Sequence, residues 1–199
     1  MTVALERSIV SPAIPQTQRI LTHGTWENFK WLQQGFEQSN GVRLFYYDET
    51  IEIIMPGRLH ELFKGLIGLM IETFLLDRDL EFAPTGSMTQ EVEKVASAEA
   101  DESYEIGDFR LSIEVTVTSG NTSKLKLYQA LGVHEVWFWE DGVITMYHQV
   151  NGEYQKIDRS LIPELAAIDR AVLARCILIG ETSRIQAVKA FRAAHPVMS

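Results

Sequence analysis

The sequence is poor in the features that mark secreted and membrane proteins. Its single cysteine, Cys176, cannot form a disulfide within the chain, which fits a reducing compartment. Cys176 lies among apolar residues, so we expect it to be buried. Charged residues interrupt the longest apolar stretch, residues 59–76, before it reaches the length of a membrane span. The N-terminus lacks the basic start and apolar block of a signal peptide, and we expect a cytoplasmic protein without membrane contacts.

Lysine and arginine are also scarce. The chain has 18 of them against 27 aspartates and glutamates, which gives a net charge of −9. Proteins that coat nucleic acid without regard to sequence are usually basic, because contacts with phosphates supply most of their affinity. The composition argues against such a role. It still allows an enzyme with a local basic groove, or one whose carboxylates hold a metal ion.

The common catalytic motifs are absent as well. The sequence has no phosphate-binding P-loop, no G-x-G-x-x-G, no G-x-S-x-G, and no histidine or cysteine pair at zinc spacing. Nucleotide hydrolysis of the P-loop type, serine hydrolysis and zinc chemistry are therefore not indicated.

Residues 111–139 predict a strand, a helix and a second strand. Apolar residues alternate with polar ones from Leu111 to Thr118, which is the period of a strand with one apolar face. Residues 118–121 predict a turn, the following helix ends at Gly132, and residues 136–139 predict the second strand. Such a unit is typical of two parallel strands in one sheet. Glu114 lies on the polar face of the first strand.

The remaining pattern predicts one α/β domain with a mixed α+β sheet flanked by helices. We expect residues 1–22 to form an N-terminal arm and residues 23–199 to form a single domain. The other predicted elements are a helix from Thr25 to about Gln38, a hairpin over residues 42–55, a helix over 59–79, weaker strands over 80–85 and 88–95, an edge hairpin over 143–157, and helices from Pro163 to about Ala194 that break near Gly180.

One set of residues has the chemistry of a magnesium site. Asp101 and Glu114 can come from successive strands, and two carboxylates completed by water and phosphate oxygens suit Mg²⁺. Lys124 or Lys126, at the start of the predicted helix, could orient water or neutralise a phosphate. Glu61 could add a further ligand and His60 a polar contact. On these residues alone, a solvated acidic loop beside a helix with ordinary surface charges is the simpler interpretation.

A series of short motifs changes this assessment. They are the hairpin Leu44–Ile53, His60-Glu61, Gly86–Thr89, Ala100-Asp101-Glu102-Ser103-Tyr104, Ile113-Glu114-Val115, Thr118-Ser119-Gly120, Lys124 to Tyr128, and Gly132 to Trp137. In order and spacing, these motifs resemble those of the bacterial Uma-two (Uma2) family, which is of restriction-endonuclease type and belongs to the PD-(D/E)-x-K nuclease superfamily.

The resemblance implies a restriction-endonuclease-like core and hydrolysis of DNA phosphodiester bonds with Mg²⁺ or Mn²⁺. Carried over, Asp101 and Glu114 become the metal-binding pair, and Glu61 supports the metal shell. The motif lysine would stand two residues after Glu114, where this chain has Thr116. Similar families move this lysine to the following helix, and Lys124 matches that place better than Lys126.

Other implications of the resemblance are less direct. Asp108 also resembles a family aspartate, and we interpret it as structural. A homodimer is expected by analogy, since cutting two strands takes two sites. The acidic balance and the missing lysine favour an alternative, a catalytically inactive nuclease fold that acts as a binding or assembly module. A nuclease for another nucleic acid, or one active only within a larger complex, is a third possibility.

Overall fold

The computed structural model describes residues 17–39, 41–116 and 124–197, which form two β-sheets and five α-helices. This confirms the predicted α/β class with one mixed sheet. The helices are α1 (Trp26–Phe36), α2 (Arg58–Leu76), α3 (Lys124–Ala130), α4 (Arg170–Gly180) and α5 (Arg184–Ala194). The strands are β1 (Gln18–His23), β2 (Arg43–Tyr47), β3 (Thr50–Met55), β4 (Ala83–Pro84), β5 (Gln90–Val92), β6 (Ala96–Ala98), β7 (Glu102–Ile106), β8 (Phe109–Thr116), β9 (Glu135–Glu140), β10 (Val143–Val150) and β11 (Glu153–Ile157).

The larger sheet has six strands in the order β11-β10-β9-β8-β7-β4. Strands β8 and β9 are parallel, as predicted, and Glu114 lies opposite Phe138. Helix α3 connects them, and the chain leaves it through Gly132 at a φ of 69°, where a side chain would be strained. The predicted turn at residues 118–121 lies outside the described residues. The strand–helix–strand unit therefore sets the position of α3 relative to Glu114 in β8.

The smaller sheet has five strands in the order β1-β3-β2-β6-β5, all antiparallel. The predicted hairpin is confirmed, and its turn residues Asp48 and Glu49 have positive φ angles of 48° and 53°. The sequence did not predict that this hairpin joins a second sheet. That sheet depends on β2 pairing with β6, about 50 residues further along the chain.

The structure corrects two expectations about strands. Residues 18–22 were expected in the arm, but they lie in β1, which pairs with β3 from Gln18 opposite Met55 to His23 opposite Thr50. All six residues of β1 are exposed. Because neither face of the strand is buried, its sequence lacks the alternation of apolar and polar residues that would have predicted a strand. The division into an arm and a single domain stays a prediction, because residues 1–16 are outside the described part. The weaker strands shorten to β4 and β5, of two and three residues.

The six-stranded sheet buries both of its faces. One face packs against α2, α4 and α5, and β8 contributes Leu111, Ile113 and Val115 to this core. Cys176 is buried there, as predicted. The other face packs against α3 and the five-stranded sheet, through Phe45, three alanines around β6, and Phe138. Glu114 alternates with the apolar residues of β8 and therefore faces this second layer.

Within the described residues, no helix combines the length and the apolar character needed to cross a membrane.

Candidate active site

Asp101 lies where the chain passes from the five-stranded sheet to the six-stranded sheet, in the connection between β6 and β7. Its side chain is buried, with 2% of the residue exposed. Oδ2 accepts a hydrogen bond of 2.7 Å from the backbone N–H of Val115, and Oδ1 lies 2.7 Å from Nε2 of His60. The interpretation as a solvated acidic loop is therefore wrong for Asp101, which is held in a fixed orientation.

Glu114 is buried in the middle of β8 and bonds to two residues of α3. Its Oε2 accepts a hydrogen bond of 2.7 Å from Nζ of Lys124, and its Oε1 accepts one from the hydroxyl of Tyr128. Lys124 and Tyr128 are four residues apart, so they share one face of the helix. The helix that follows β8 therefore supplies both partners of the carboxylate.

Lys124 is the first residue of α3 and is itself buried. Besides its bond to Glu114, its Nζ lies 3.8 Å from Oε2 of Glu52 and 3.6 Å from the centre of the Phe45 ring. Glu52 in turn accepts a hydrogen bond from Nε of Arg19. Two carboxylates and an aromatic face hold the ammonium between the two sheets.

The other predicted residues lie at different distances from this cluster. His60 is buried against Asp101, whereas Glu61 has a half-exposed side chain whose Oε1 lies 3.6 Å from Nη2 of Arg43. Thr116 is half-buried at the end of β8. Lys126 is exposed on α3 and lines a cleft of about 510 Å³ together with Lys124. The structure thus brings Asp101, Glu114, Lys124 and His60 together and leaves Glu61, Thr116 and Lys126 at the edge.

The two carboxyl groups respond differently to burial. Burial raises the pKa of Glu114, the Lys124 ammonium lowers it, and the negative charge of Asp101 raises it again, so that it ends above its usual range. Burial also favours a higher pKa for Asp101, but the hydrogen bond and charge of His60 and the N–H of Val115 outweigh it and leave the pKa lowered. Two negative charges on Asp101 and Glu114 together are therefore unfavourable, and a cation bound near both carboxylates would stabilise them.

Sequence reasoning missed three members of the cluster: Arg43, Glu52 and Tyr128. Two of them had a signal in the sequence. Tyr128 follows Lys124 by four residues, which is about one helical turn. Glu52 is an acidic residue between the apolar residues Ile51 and Ile53, just as Glu114 is an acidic residue between apolar residues of β8. Arg43 had none, because its place beside Asp101 depends on how the two sheets pack.

The carboxylate oxygens of the cluster are of the ligand type that Mg²⁺ prefers. Among the described residues, no group of three or more His, Cys, Asp or Glu side chains could hold a metal ion. Mg²⁺ needs fewer, since it binds through one or two carboxylates and completes its shell with water and phosphate oxygens. Each oxygen of Asp101 and Glu114 has one hydrogen-bond partner and keeps a further lone pair. The paired carboxylates and their mutual repulsion suit this ion.

Comparison with known proteins gives one family. The family model described as "Uma2: Putative restriction endonuclease" matches residues 26–173, a range that includes every member of the cluster. Arg19, which donates to Glu52, lies before this range. A search of the curated proteins found no match.

Proposed function

This chain belongs to the Uma2 family, and we propose that it is a metal-dependent endonuclease that hydrolyses phosphodiester bonds of DNA. One observation carries the proposal. Glu114 and the Lys124 ammonium are in contact at 2.7 Å, and Asp101 is bonded to the backbone of the residue next to Glu114. Two acids and an amine from three separate elements are thereby gathered in one buried place, which supports a shared chemical role.

We assign the metal to the two acids of the cluster. Asp101 and Glu114 would hold Mg²⁺ or Mn²⁺, and the ion when bound would neutralise phosphate charge and lower the pKa of a water molecule. His60 holds the Asp101 carboxylate in position through its Nε2. Glu61, which is half-exposed, would support the metal shell directly or through water.

Lys124 would take the part of the motif lysine that is replaced by Thr116. Its position at the head of α3, against Glu114 and over the Phe45 ring, keeps the ammonium beside the carboxylates. There it can donate hydrogen bonds that orient the attacking water and can offset charge on the phosphate. Lys126 is exposed and lacks these contacts among the described residues, which favours Lys124 for the role.

The proposal predicts that the purified protein converts supercoiled plasmid DNA to the nicked form when Mg²⁺ or Mn²⁺ is present. Excess EDTA should stop the reaction, because the carboxylate pair then has no ion to hold. Titration calorimetry on EDTA-stripped protein should also show saturable binding of the same ions. Protein that neither nicks DNA nor binds either ion would contradict the proposal.

A second candidate function has one observation in its favour. All four oxygens of Asp101 and Glu114 already accept hydrogen bonds, and Lys124 is engaged by two carboxylates, so the cluster is stable as a closed ionic network. Such a network would suit a nuclease fold that has lost catalysis and serves as a binding or assembly module. The same two assays separate the candidates, since the module neither nicks DNA nor takes up metal.

We further propose that the protein acts as a homodimer in the cytoplasm, since one site cuts one strand and two sites cut both. Light scattering after gel filtration should then give twice the mass of one chain. The nicked plasmid should also be followed by linear DNA. A monomer at every concentration tested would contradict the dimer but leave the nicking activity unaffected.

A further inference from the structure

Arg43 is a buried arginine with unused hydrogen-bonding capacity. It begins β2, and only 8% of the residue is exposed. Its Nε lies 3.7 Å from Oδ1 of Asp101 and its Nη2 lies 3.6 Å from Oε1 of Glu61. Both distances exceed those of ordinary N–H···O hydrogen bonds, which extend to about 3.2 Å. Within the described part of the chain, Nε has no hydrogen-bond partner.

The contrast with Lys124 shows which of the two buried cations can accept a new partner. Lys124 already donates a hydrogen bond to Glu114 at 2.7 Å and covers the Phe45 ring, whereas the Arg43 side chain lies no closer than 3.6 Å to either of its acidic partners. A buried donor left without a partner is unfavourable, and a bound water, ion or ligand oxygen that accepts its hydrogen bond removes this cost. The planar fork of a guanidinium matches the oxygens of a phosphate better than an ammonium does.

Arg43 can be reached from outside the cluster. It lines a polar cleft of about 720 Å³, here called the Arg43 cleft, whose wall also includes Lys30, Gln33 and Thr89. Two acids also line the cleft: Glu37, which is exposed, and Glu99, which accepts hydrogen bonds from Leu44 N–H and the Thr89 hydroxyl. The cleft therefore opens to solvent beside Arg43, whose Nε lies buried behind this wall.

We propose that Arg43 binds a phosphate oxygen of the nucleic-acid strand, and that the strand reaches the carboxylates through the Arg43 cleft. The inference rests on the proposed nuclease function and adds to it a phosphate-binding residue and a path of entry. Nε is 3.7 Å from Asp101, so the phosphate it binds is the one at the carboxylate pair or the next along the strand. Arg43 thereby binds substrate, whereas His60 only positions Asp101.

The proposal is tested by binding of a labelled DNA duplex in EDTA, which prevents cleavage, at several salt concentrations. We expect Arg43→Gln to weaken binding about 10- to 100-fold, because a charge-assisted hydrogen bond is lost. The slope of log Kd against log salt should also decrease by about 0.9, the value for one phosphate contact. Arg43→Lys should keep the slope but still bind less tightly, since it retains the charge and loses the fork.

Arg159→Gln is the matched control, because Arg159 is exposed and lies outside the cluster and the cleft. It removes the same charge and should leave both Kd and slope unchanged. If Arg43→Gln fails to fold, as judged by thermal melting, Arg43→Lys decides alone. Wild-type Kd and slope in the Arg43 variants overturn the inference even where the wild type nicks DNA. A wild type that neither binds nor nicks DNA instead overturns the nuclease function, and this inference with it.

Discussion

Replacing Asp101 by asparagine is expected to reduce the nicking rate by at least about 100-fold while the protein remains folded. The amide has the size of the carboxylate and can still accept the hydrogen bond from Val115. It can also bond to His60, whose ring can take up the other tautomer. What it cannot supply is the negative charge, which the lowered pKa of Asp101 maintains at neutral pH. The variant should therefore lose metal binding but remain folded.

Plasmid nicking, titration calorimetry and thermal melting together check this result. Asp108→Asn is the control, since it makes the same chemical change at an exposed residue between β7 and β8 that we regard as structural. It should nick DNA at the rate of the wild type. Equal nicking by Asp101→Asn would point to a contaminating nuclease and would remove Asp101 from the proposed site.

Replacing Lys124 by methionine is expected to lower the free energy of unfolding by about 3–5 kcal/mol and to abolish nicking. Methionine fills a similar volume but leaves Glu114 buried without its cation, 2.7 Å from where the ammonium was. A buried charge deprived of its partner is among the costliest changes in a protein interior. Urea denaturation of the variant and the wild type measures the difference.

Two further variants serve as controls for this stability measurement. Lys126→Met changes an exposed lysine of the same helix and should alter stability by less than about 0.5 kcal/mol. The double variant Glu114→Gln, Lys124→Met removes both charges, and it should recover at least about half of the stability lost by Lys124→Met. A Lys124→Met protein as stable as the wild type would show that the buried pair does not form.

Local pattern in the sequence was enough to predict the elements that carry the site. The alternation in β8 put Glu114 on the polar face, and Gly132 marked the end of the helix that begins near Lys124. The parallel pairing of β8 with β9 followed from the spacing of the crossover. These features depend on neighbours within about 30 residues, which is the length of one strand–helix–strand unit.

What the sequence did not predict depends on distant packing. Glu114 and Asp101 are buried because the five-stranded sheet and α3 cover them, and no local pattern records that cover. Strand β1 went unrecognised because it lies exposed at the edge of its sheet. Backbone hydrogen bonds to β3, rather than buried apolar side chains, hold this strand in position. Arg43 contacts Asp101, which lies 58 positions further along the chain.

The path of the chain through the cluster has a consequence for when the protein can act. Arg43 and Glu52 are synthesised early, Asp101 follows at the point where the chain changes sheets, and Lys124 comes last. A chain still leaving the ribosome without α3 lacks the ammonium that contacts Glu114 in the folded protein. Under the proposed function, the site would be complete only once α3 has docked and both layers are in place.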